Sequence, residues 1–287
     1  MLYGRAMRWL LWLLGIALAA AIALTGVARY NARADPVVQR TDVALPGWPA
    51  GARPVTVALL SDVHLGSMAM DGARLTRVVD RVAALRPDLV VMAGDFIEGH
   101  RAGSATRIAP GLTAPFARLR PPLGAIAVLG NHDHWTGAAA VRRALEAAGV
   151  TVLENAVVAR GPLAVGGVGD AFTHHDRLRE TSAALRRLPG ARVLLTHSPD
   201  IAPALSRDMP LLLAGHTHCG QVVLPLWGPI HVPSRYGTRY TCGIVREGPR
   251  TTVVTGGLGT SEVPLRLGAP PDIWLVRLGP GGRRDRK

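Results

Sequence analysis

The sequence predicts an α/β fold in which buried strands alternate with helices around central sheets. Short β-branched apolar runs end abruptly in Gly, Asp, Asn or His, and segments with apolar residues at helical spacing lie between them. This alternation of strand and helix is typical of α/β domains. Nearly half of the residues are apolar (48%) and only 18% are charged, which excludes a disordered chain.

The first 30 residues predict a single membrane-spanning helix. Residues 9–28 carry no charge, and at 1.5 Å per residue they would span roughly 30 Å, the thickness of a hydrocarbon core. Trp9, Trp12 and Tyr30 lie at the two ends, where interfacial aromatic residues are expected. We predict an uncleaved anchor over residues 1–30 in the cell (inner) membrane, with the rest of the chain on the outer or periplasmic side. The A-x-A-like stretch 32–34 leaves a cleaved signal peptide as the alternative.

The net charge of +13 suggests a nucleic acid or an anionic membrane as a partner. Residues 1–42 carry +3 and residues 277–287 carry +4, so more than half of the excess flanks the apolar segment or ends the chain. Flanking arginines can contact anionic lipid headgroups. The charge therefore favours a membrane surface over nucleic acid.

The remaining chain divides into three parts. Residues 31–53 are rich in proline and glycine and predict a linker or an extended edge, residues 54–278 form one domain, and residues 279–287 form a basic tail. Buried strands that end in polar residues are predicted at 55–60, 89–92, 125–129, 193–195 and 211–213, with further strands at 163–168, 252–254 and 273–276. Helical spacing predicts helices over 75–85, 141–148 and 178–188.

Five of these strand ends carry the residue types that bind divalent metal ions. The stretches are SDVH (61–64), GD (94–95), GNHD (130–133), TH (196–197) and GHTH (215–218), and they hold five of the ten histidines. Ligands collect at the carboxyl ends of strands in α/β folds. Carboxylate, imidazole and amide oxygen ligands suit Mn²⁺, Fe²⁺ or Zn²⁺. Asp62 and His64, two positions apart on one face of a strand end, could hold one ion, and Asp95 could bridge two.

These stretches, in this order, resemble the calcineurin-like metallophosphoesterase superfamily. The sequences GHTHCGQV (215–222), PSRYGTRY (233–240) and GGLGTS (256–261) are similar to the YkuE/YaeI-type membrane-anchored phosphodiesterases, and the resemblance covers residues 55–277. It implies a four-layer fold, with two central mixed β-sheets flanked by helices, and two divalent metal ions. By motif, the first ion would be held by Asp62, His64, Asp95 and His218, and the second by Asp95, Asn131, His197 and His216.

The resemblance also implies a metal-dependent phosphoric ester hydrolase. A metal-bridged hydroxide would attack the phosphate ester, and His132 would stabilise the developing charge or protonate the leaving oxygen. Glu98 or Asp133 would orient His132, although we expect Asp133 to brace its loop rather than to bind metal. Two ions, two carboxylates and a hydroxide leave a charge of about +1, which would attract a phosphate ester.

The expected substrate is a phosphodiester or pyrophosphate, lipid-linked or part of the envelope, such as UDP-2,3-diacylglucosamine in lipid A biosynthesis. A nucleotide-sugar lipid is expected on the cytoplasmic side, which would conflict with a domain outside. The alternatives are a nuclease or a general phosphodiesterase with the same metal centre, and a non-enzymatic metal- or anion-binding membrane module. The body of the chain carries only +6 and has no basic stripe interleaved with aromatic residues, which disfavours nucleic acid.

Five further residues each allow two interpretations. Cys219 and Cys242 could form a disulfide in an oxidising compartment, or Cys219 could contact a metal; two cysteines are too few for a disulfide scaffold or a Cys-rich zinc module. Asp170 could lie at the rim of the site or form a turn. Arg235 and Tyr236 could contact phosphate or belong to a structural turn.

Overall fold

Two six-stranded mixed sheets pack face to face, with helices on both outer faces. This arrangement comes from a computed structural model that describes residues 2–281, with side chains from residue 7 onward. The predicted four-layer α/β architecture is confirmed.

The elements are defined by the following bounds. The strands are β1 (Val37–Leu45), β2 (Val55–Leu60), β3 (Leu89–Ala93), β4 (Ala125–Val128), β5 (Val150–Val152), β6 (Ala156–Arg160), β7 (Leu163–Gly167), β8 (Ala191–Leu195), β9 (Leu211–Ala214), β10 (Val223–Leu224), β11 (Gly228–Pro229), β12 (Gly243–Glu247), β13 (Arg250–Val254) and β14 (Asp272–Pro280). The α-helices are α1 (Leu2–Ala32), α2 (Gly72–Ala84), α3 (Ala105–Ile108), α4 (Pro110–Phe116), α5 (Asn131–Thr136), α6 (Ala138–Ala147) and α7 (Leu178–Arg186). The predicted helices and polar-ended strands match these elements within a few residues; β1, β5, β6, β10, β11 and β12 were not predicted as strands.

The topology gathers several strand ends at one place. The first sheet has the order β1-β14-β2-β3-β4-β5 and is parallel except where β14 meets β2. The second has the order β12-β13-β9-β8-β7-β6, with antiparallel pairs only at its two edges. Parallel neighbours end at the same edge of a sheet, so β2, β3 and β4 present their carboxyl ends together, as do β8 and β9.

The core follows the two-residue period of the strands. In β2, Val55, Val57 and Leu59 face the second sheet, whereas Ala58 and Leu60 face the helices. Both faces of the strand are therefore buried, which explains its continuous apolar sequence. The inter-sheet core and the two sheet–helix cores hold the strand ends in a fixed geometry.

Residues 37–45 form an edge strand of the first sheet instead of a free linker. β1 pairs in parallel with β14, from Val37 opposite Asp272 to Leu45 opposite Pro280. Val43 and Leu45 are buried between the sheets. The prolines and glycines nearby indicated a linker, but the partner strand lies more than 200 residues away, and local patterns do not report such pairing. The extended edge, left open as the alternative, is the arrangement found.

The N-terminal helix α1 is exposed over almost its whole length. Met7–Ala32 is long and apolar enough to cross a membrane, with a mean hydropathy of 2.4. Ala28 and Ala32 are its buried residues among those described, where the helix contacts the domain. Just beyond it, Arg33 lies 2.7 Å from Asp71 in an ion pair. Of the predicted basic tail, residues 282–287 lie outside the described residues.

Candidate metal centre and active site

All eight predicted site residues converge where the carboxyl ends of the two sheets meet. They follow β2, β3 and β4 in the first sheet and β8 and β9 in the second, and each is at most 6% exposed: Asp62, His64, Asp95, Asn131, His132, His197, His216 and His218. Residues from five separate strand ends thus share one buried volume.

The first group of metal-type side chains contains Asp62, His64 and His218. The Nε2 atoms of the two histidines are 3.2 Å apart, and His218 Nε2 lies 3.3 Å from Asp62 Oδ1. Asp95 Oδ2 lies 3.7 Å from His64 Nε2. Four ligand-type atoms therefore surround a volume that one metal ion could occupy.

The second group contains Asn131, His197 and His216. His197 Nε2 lies 3.0 Å from Asn131 Oδ1, 3.1 Å from His216 Nδ1 and 3.2 Å from Asp95 Oδ2. The same Asp95 oxygen therefore faces both groups. That is the placement expected of a carboxylate shared by two ions.

The side chains of the first group fit a cation because a buried carboxylate oxygen among them otherwise lacks a hydrogen-bond partner. Among the described residues, Asp62 Oδ1 is buried and has no hydrogen-bond partner. An uncompensated buried carboxylate oxygen is costly unless it is paired or coordinates a metal. His218 Nε2 and His64 Nε2 are its nearest charged-type neighbours, at 3.3 and 3.9 Å, so a metal ion among these atoms satisfies all three.

The backbone around the site is strained in a systematic way. Five of the seven predicted metal ligands adopt left-handed φ angles, from 49° to 72°: Asp62, His64, Asp95, His216 and His218. Such conformations cost of order 1–3 kcal/mol each and cluster at functional sites. The D-x-H pair therefore converges through a turn beyond the end of β2, and the strand alternation used in the sequence prediction is not the reason.

Glycines let the backbone approach the predicted ligands closely. A Cβ on Gly257 would lie 2.5 Å from Asp62 Cβ, and one on Gly130 would lie 2.7 Å from the backbone N of Asp95. Gly257 also has a φ of 75°, which side chains rarely adopt. The glycine-rich stretch 256–261 thus packs against the loop that follows β2.

Polar contacts behind two histidines direct their ring nitrogens toward the centre. His197 Nδ1 lies 2.6 Å from the carbonyl of Ala93, which places the proton there and leaves Nε2 free to bind metal. His64 Nδ1 lies 2.7 Å from Glu98 Oε2, the carboxylate–histidine arrangement common at metal sites. Glu98 therefore orients His64, and the prediction that it orients His132 was wrong.

Hydrogen bonds that involve backbone groups position His132. Its Nδ1 lies 3.0 Å from the carbonyl of Gly99, its backbone N–H donates to Asp95, and its Nε2 faces Ser261 Oγ at 3.3 Å. Burial lowers the pKa of His132 below its usual value, although Asp95 opposes the shift. Asp133 instead accepts backbone N–H groups from its own loop and the loop after β3, and so braces the site.

The carboxylate of Asp95 stays ionised despite full burial. Burial by itself would raise its pKa, but the charge and hydrogen bond of His197, with His132 and His64, hold the pKa of Asp95 well below its usual range. A carboxylate with a lowered pKa that faces both groups suits a shared ligand.

Comparison with known proteins decides the family. The profile of the calcineurin-like phosphoesterases matches residues 55–220, a range that contains all eight site residues. This chain belongs to the calcineurin-like phosphoesterase family. It is therefore a metal-dependent phosphoester hydrolase, as predicted.

Curated relatives resemble this calcineurin-like phosphoesterase over most of its length. The uncharacterized metallophosphoesterase YkuE of Bacillus subtilis is 33% identical, over 80% of this chain and 81% of its own. The phosphodiesterase YaeI of Escherichia coli is 30% identical, over 79% of this chain and 83% of its own. A Danio rerio transmembrane protein with a metallophosphoesterase domain is 28% identical, over 92% of this chain and 62% of its own. The predicted resemblance to YkuE and YaeI is confirmed.

The sequence prediction missed a buried arginine behind this phosphoesterase centre. Arg266 is fully buried and donates to the carbonyls of Gly256, Gly259 and Ala269 at 2.6–3.0 Å. Its Nη2 lies 3.3 Å from His218 Nδ1. Burial lowers the pKa of Arg266 to about 10, so it remains charged at neutral pH. An isolated arginine in a loop has no sequence signature, so only the fold identifies it.

A cavity of about 570 Å³ lies over the metal-type side chains. Asp95, Asn131, His132 and the two GHTH histidines line it on the polar side. Its other walls are mainly apolar and include Trp135, Phe172, Val222, Ile230, Val263 and Leu265. The sequence did not predict this cavity, because its walls come from segments that lie far apart in the chain.

The structure selects between the interpretations left open. Cys219 and Cys242 form a disulfide. Asp170 is buried and accepts hydrogen bonds from its own turn, residues 172–173. Arg235 and Tyr236 lie in an exposed loop, outside the residues that line the cavity.

Proposed function

We propose that this chain is a membrane-anchored, binuclear metal-dependent phosphodiesterase or pyrophosphatase that acts on lipid-linked or envelope phosphate esters. One observation carries the proposal: two groups of metal-type ligands share Asp95 at the base of a largely apolar cavity.

Each group of side chains would hold one divalent ion. The first would be bound by Asp62, His64, Asp95 and His218, and the second by Asp95, Asn131, His197 and His216. Mn²⁺, Fe²⁺ and Zn²⁺ all suit this mixture of carboxylate, imidazole and amide oxygen. When bound, such ions lower the pKa of water and neutralise charge on the phosphate oxygens.

His132 would act on the substrate directly. It lines the cavity next to the shared carboxylate, and its backbone N–H is fixed to Asp95 at 2.9 Å. Its Nδ1 is occupied by a backbone carbonyl, so Nε2 is the atom available to the substrate. From there His132 would stabilise developing charge or protonate the leaving oxygen.

Three features support an apolar substrate at the membrane. The cavity walls are largely apolar, and α1 is long and apolar enough to be an anchor. The Cys219–Cys242 disulfide favours an oxidising compartment, hence the outer or periplasmic side of the inner membrane. That location argues against UDP-2,3-diacylglucosamine, which is expected on the cytoplasmic side, and favours other lipid-linked phosphodiesters. Apolar walls also suit a lipid better than nucleic acid.

The chemistry is tested with the full chain in detergent, reloaded with Mn²⁺, Fe²⁺ or Zn²⁺, and an aryl phosphodiester. Asp95→Ala should reduce metal-dependent hydrolysis to background and lower the metal content. Asp208→Ala, which removes an exposed carboxylate from an ion pair with Arg186, is the matched control and should retain activity. Full activity of Asp95→Ala would refute the shared-ligand centre.

Membrane topology is tested separately with reporters fused to the C-terminus. Activity of a periplasmic reporter supports the outer location. Activity of a cytoplasmic reporter would revive the nucleotide-sugar lipid as a substrate.

A further inference from the structure

The hairpin formed by β10 and β11 exposes large apolar side chains. At its tip, Leu226 is fully exposed and Trp227 is 87% exposed, and Ile230 follows at 66%. Single exposed apolar residues are common, but three within five positions form a patch of the kind that contacts a partner or a membrane. The turn is short, so the hairpin tip, Leu226 and Trp227, has little protein around it.

The hairpin is connected to the end of α1 by one extended segment. Val223 N donates to the carbonyl of Leu267, and Leu267 N donates to Gln221. The preceding residue, Arg266, donates its backbone N–H to the carbonyl of Ala28 in α1. The hairpin base, residues 265–268 and the last turns of α1 therefore lie side by side. The tip is three residues beyond Val223, roughly 10 Å of extended chain.

The same segments form part of the cavity wall. Val222 and Ile230, at the two ends of the hairpin, line the cavity, as does Leu265 next to the contact with α1. The apolar wall over the metal-type side chains is thus continuous with the region where the apolar helix joins the domain.

We propose that the hairpin tip inserts into the interface of the leaflet from which α1 emerges, and so places the cavity wall against lipid. The occupant of this patch is then the bilayer itself. Tryptophan is enriched at membrane interfaces, and leucine is favoured in the acyl region. A phosphoester carried by a lipid would enter the cavity without leaving the bilayer. This inference rests on the proposed anchoring by α1.

Fluorescence quenching by brominated phospholipids tests the insertion without any substrate. The full chain is reconstituted in phosphatidylcholine vesicles with or without bromine on the acyl chains. The contribution of Trp227 is the difference between the native chain and Trp227→Phe. Trp48→Phe is the matched control, because Trp48 follows β1 at the end away from α1 and packs against the inter-sheet core.

The Trp227 contribution should be quenched most by bromine near the headgroup, and the Trp48 contribution should not be quenched. Quenching of Trp9 and Trp12 alone would overturn the insertion and leave the anchor intact. Absence of all quenching would overturn the anchor and the insertion together. If the fluorescence of Trp227 is not quenched in vesicles and a protein shields it instead, the patch belongs to a protein interface. That outcome would overturn the proposal.

A kinetic comparison tests the consequence for the substrate. The double variant Leu226→Asp/Trp227→Asp changes two side chains that do not line the cavity. Loss of a leucine-sized apolar contact shifts an equilibrium by at least about tenfold, so kcat/KM for a vesicle-borne phosphodiester should fall by about that factor. The rate with a soluble aryl phosphodiester should be unchanged. Equal rates of the native chain and the double variant on the vesicle-borne substrate would overturn the role of the hairpin tip in substrate access.

Discussion

Replacement of Arg266 by methionine should destabilise the domain and weaken metal binding together. The guanidinium is fully buried and supplies the carbonyls of Gly256, Gly259 and Ala269 with donors at 2.6–3.0 Å. Methionine fills a similar volume but donates nothing. Three buried acceptors would lose their partners, at about 1–3 kcal/mol each.

Removal of the buried guanidinium also removes its desolvation penalty, which offsets part of this cost. Among the described residues, no carboxylate lies within ion-pair distance of Arg266, so its desolvation is compensated mainly by carbonyls. We therefore expect a net destabilisation of about 3–5 kcal/mol. For a domain of this size, that lowers Tm by roughly 6–20 °C.

Thermal unfolding with and without a chelator separates the two effects. Arg266→Met should unfold earlier in both conditions, and its metal content should fall because His218 loses the support behind its ring. Arg266→Lys, which keeps three donors, should recover part of the loss. Arg118→Met, which removes an exposed ion pair with Asp80, should change Tm little.

A free energy of unfolding for Arg266→Met within about 1 kcal/mol of that of the native chain, together with normal metal content, would contradict this role of Arg266. The carbonyls would then have found other donors, and the glycine-rich stretch would not depend on the arginine.

Three further predictions concern the disulfide, a close contact and pH. Cys242→Ser should lower the stability by about 2–4 kcal/mol, and a reductant should lower Tm of the native chain but not of the variant. Gly130→Ala should reduce metal content, because the added Cβ lies 2.7 Å from the backbone N of Asp95; Gly72→Ala, with open space around it, is the control. Burial lowers the pKa of His134, and the stacked His175 adds to the effect. His134 therefore stays neutral in the folded state, whereas the same side chain takes up a proton in the unfolded chain. Stability should therefore fall as the pH drops below 6.5, and His134→Gln should flatten that slope in chemical unfolding experiments.

The sequence predicts these candidate site residues because their signal is local. A strand that is buried on both faces has a continuous apolar sequence. Asp, Asn or His directly after such a run is an unusual ending. Since parallel strands end at the same edge, five such endings imply one place, and the structure brings all eight residues there. The fold class follows from the same alternation of strand and helix.

The sequence misassigned residues whose role depends on distant partners. Residues 37–45 lie in a segment that the sequence predicts as a linker or an extended edge, because local patterns do not report the pairing of β1 with β14. Glu98 was assigned to His132, but the turn after β3 directs it to His64. Neither case concerns residue type. The first concerns the pairing of two strands that lie far apart in the chain, and the second concerns which of two histidines a side chain faces.

Local patterns in the chain were enough to predict that buried strands alternate with helices and that metal-type side chains follow five of them. The folded chain was needed to show that Asp95 faces both groups of metal-type side chains, that Arg266 lies behind one of them, and that a largely apolar cavity lies over them. The difference comes from how far apart in the chain the interacting residues lie. Hydrophobic periodicity and strand endings are written in neighbouring residues, whereas hydrogen bonds, left-handed turns and cavity walls arise when segments far apart in the chain pack within a few ångströms.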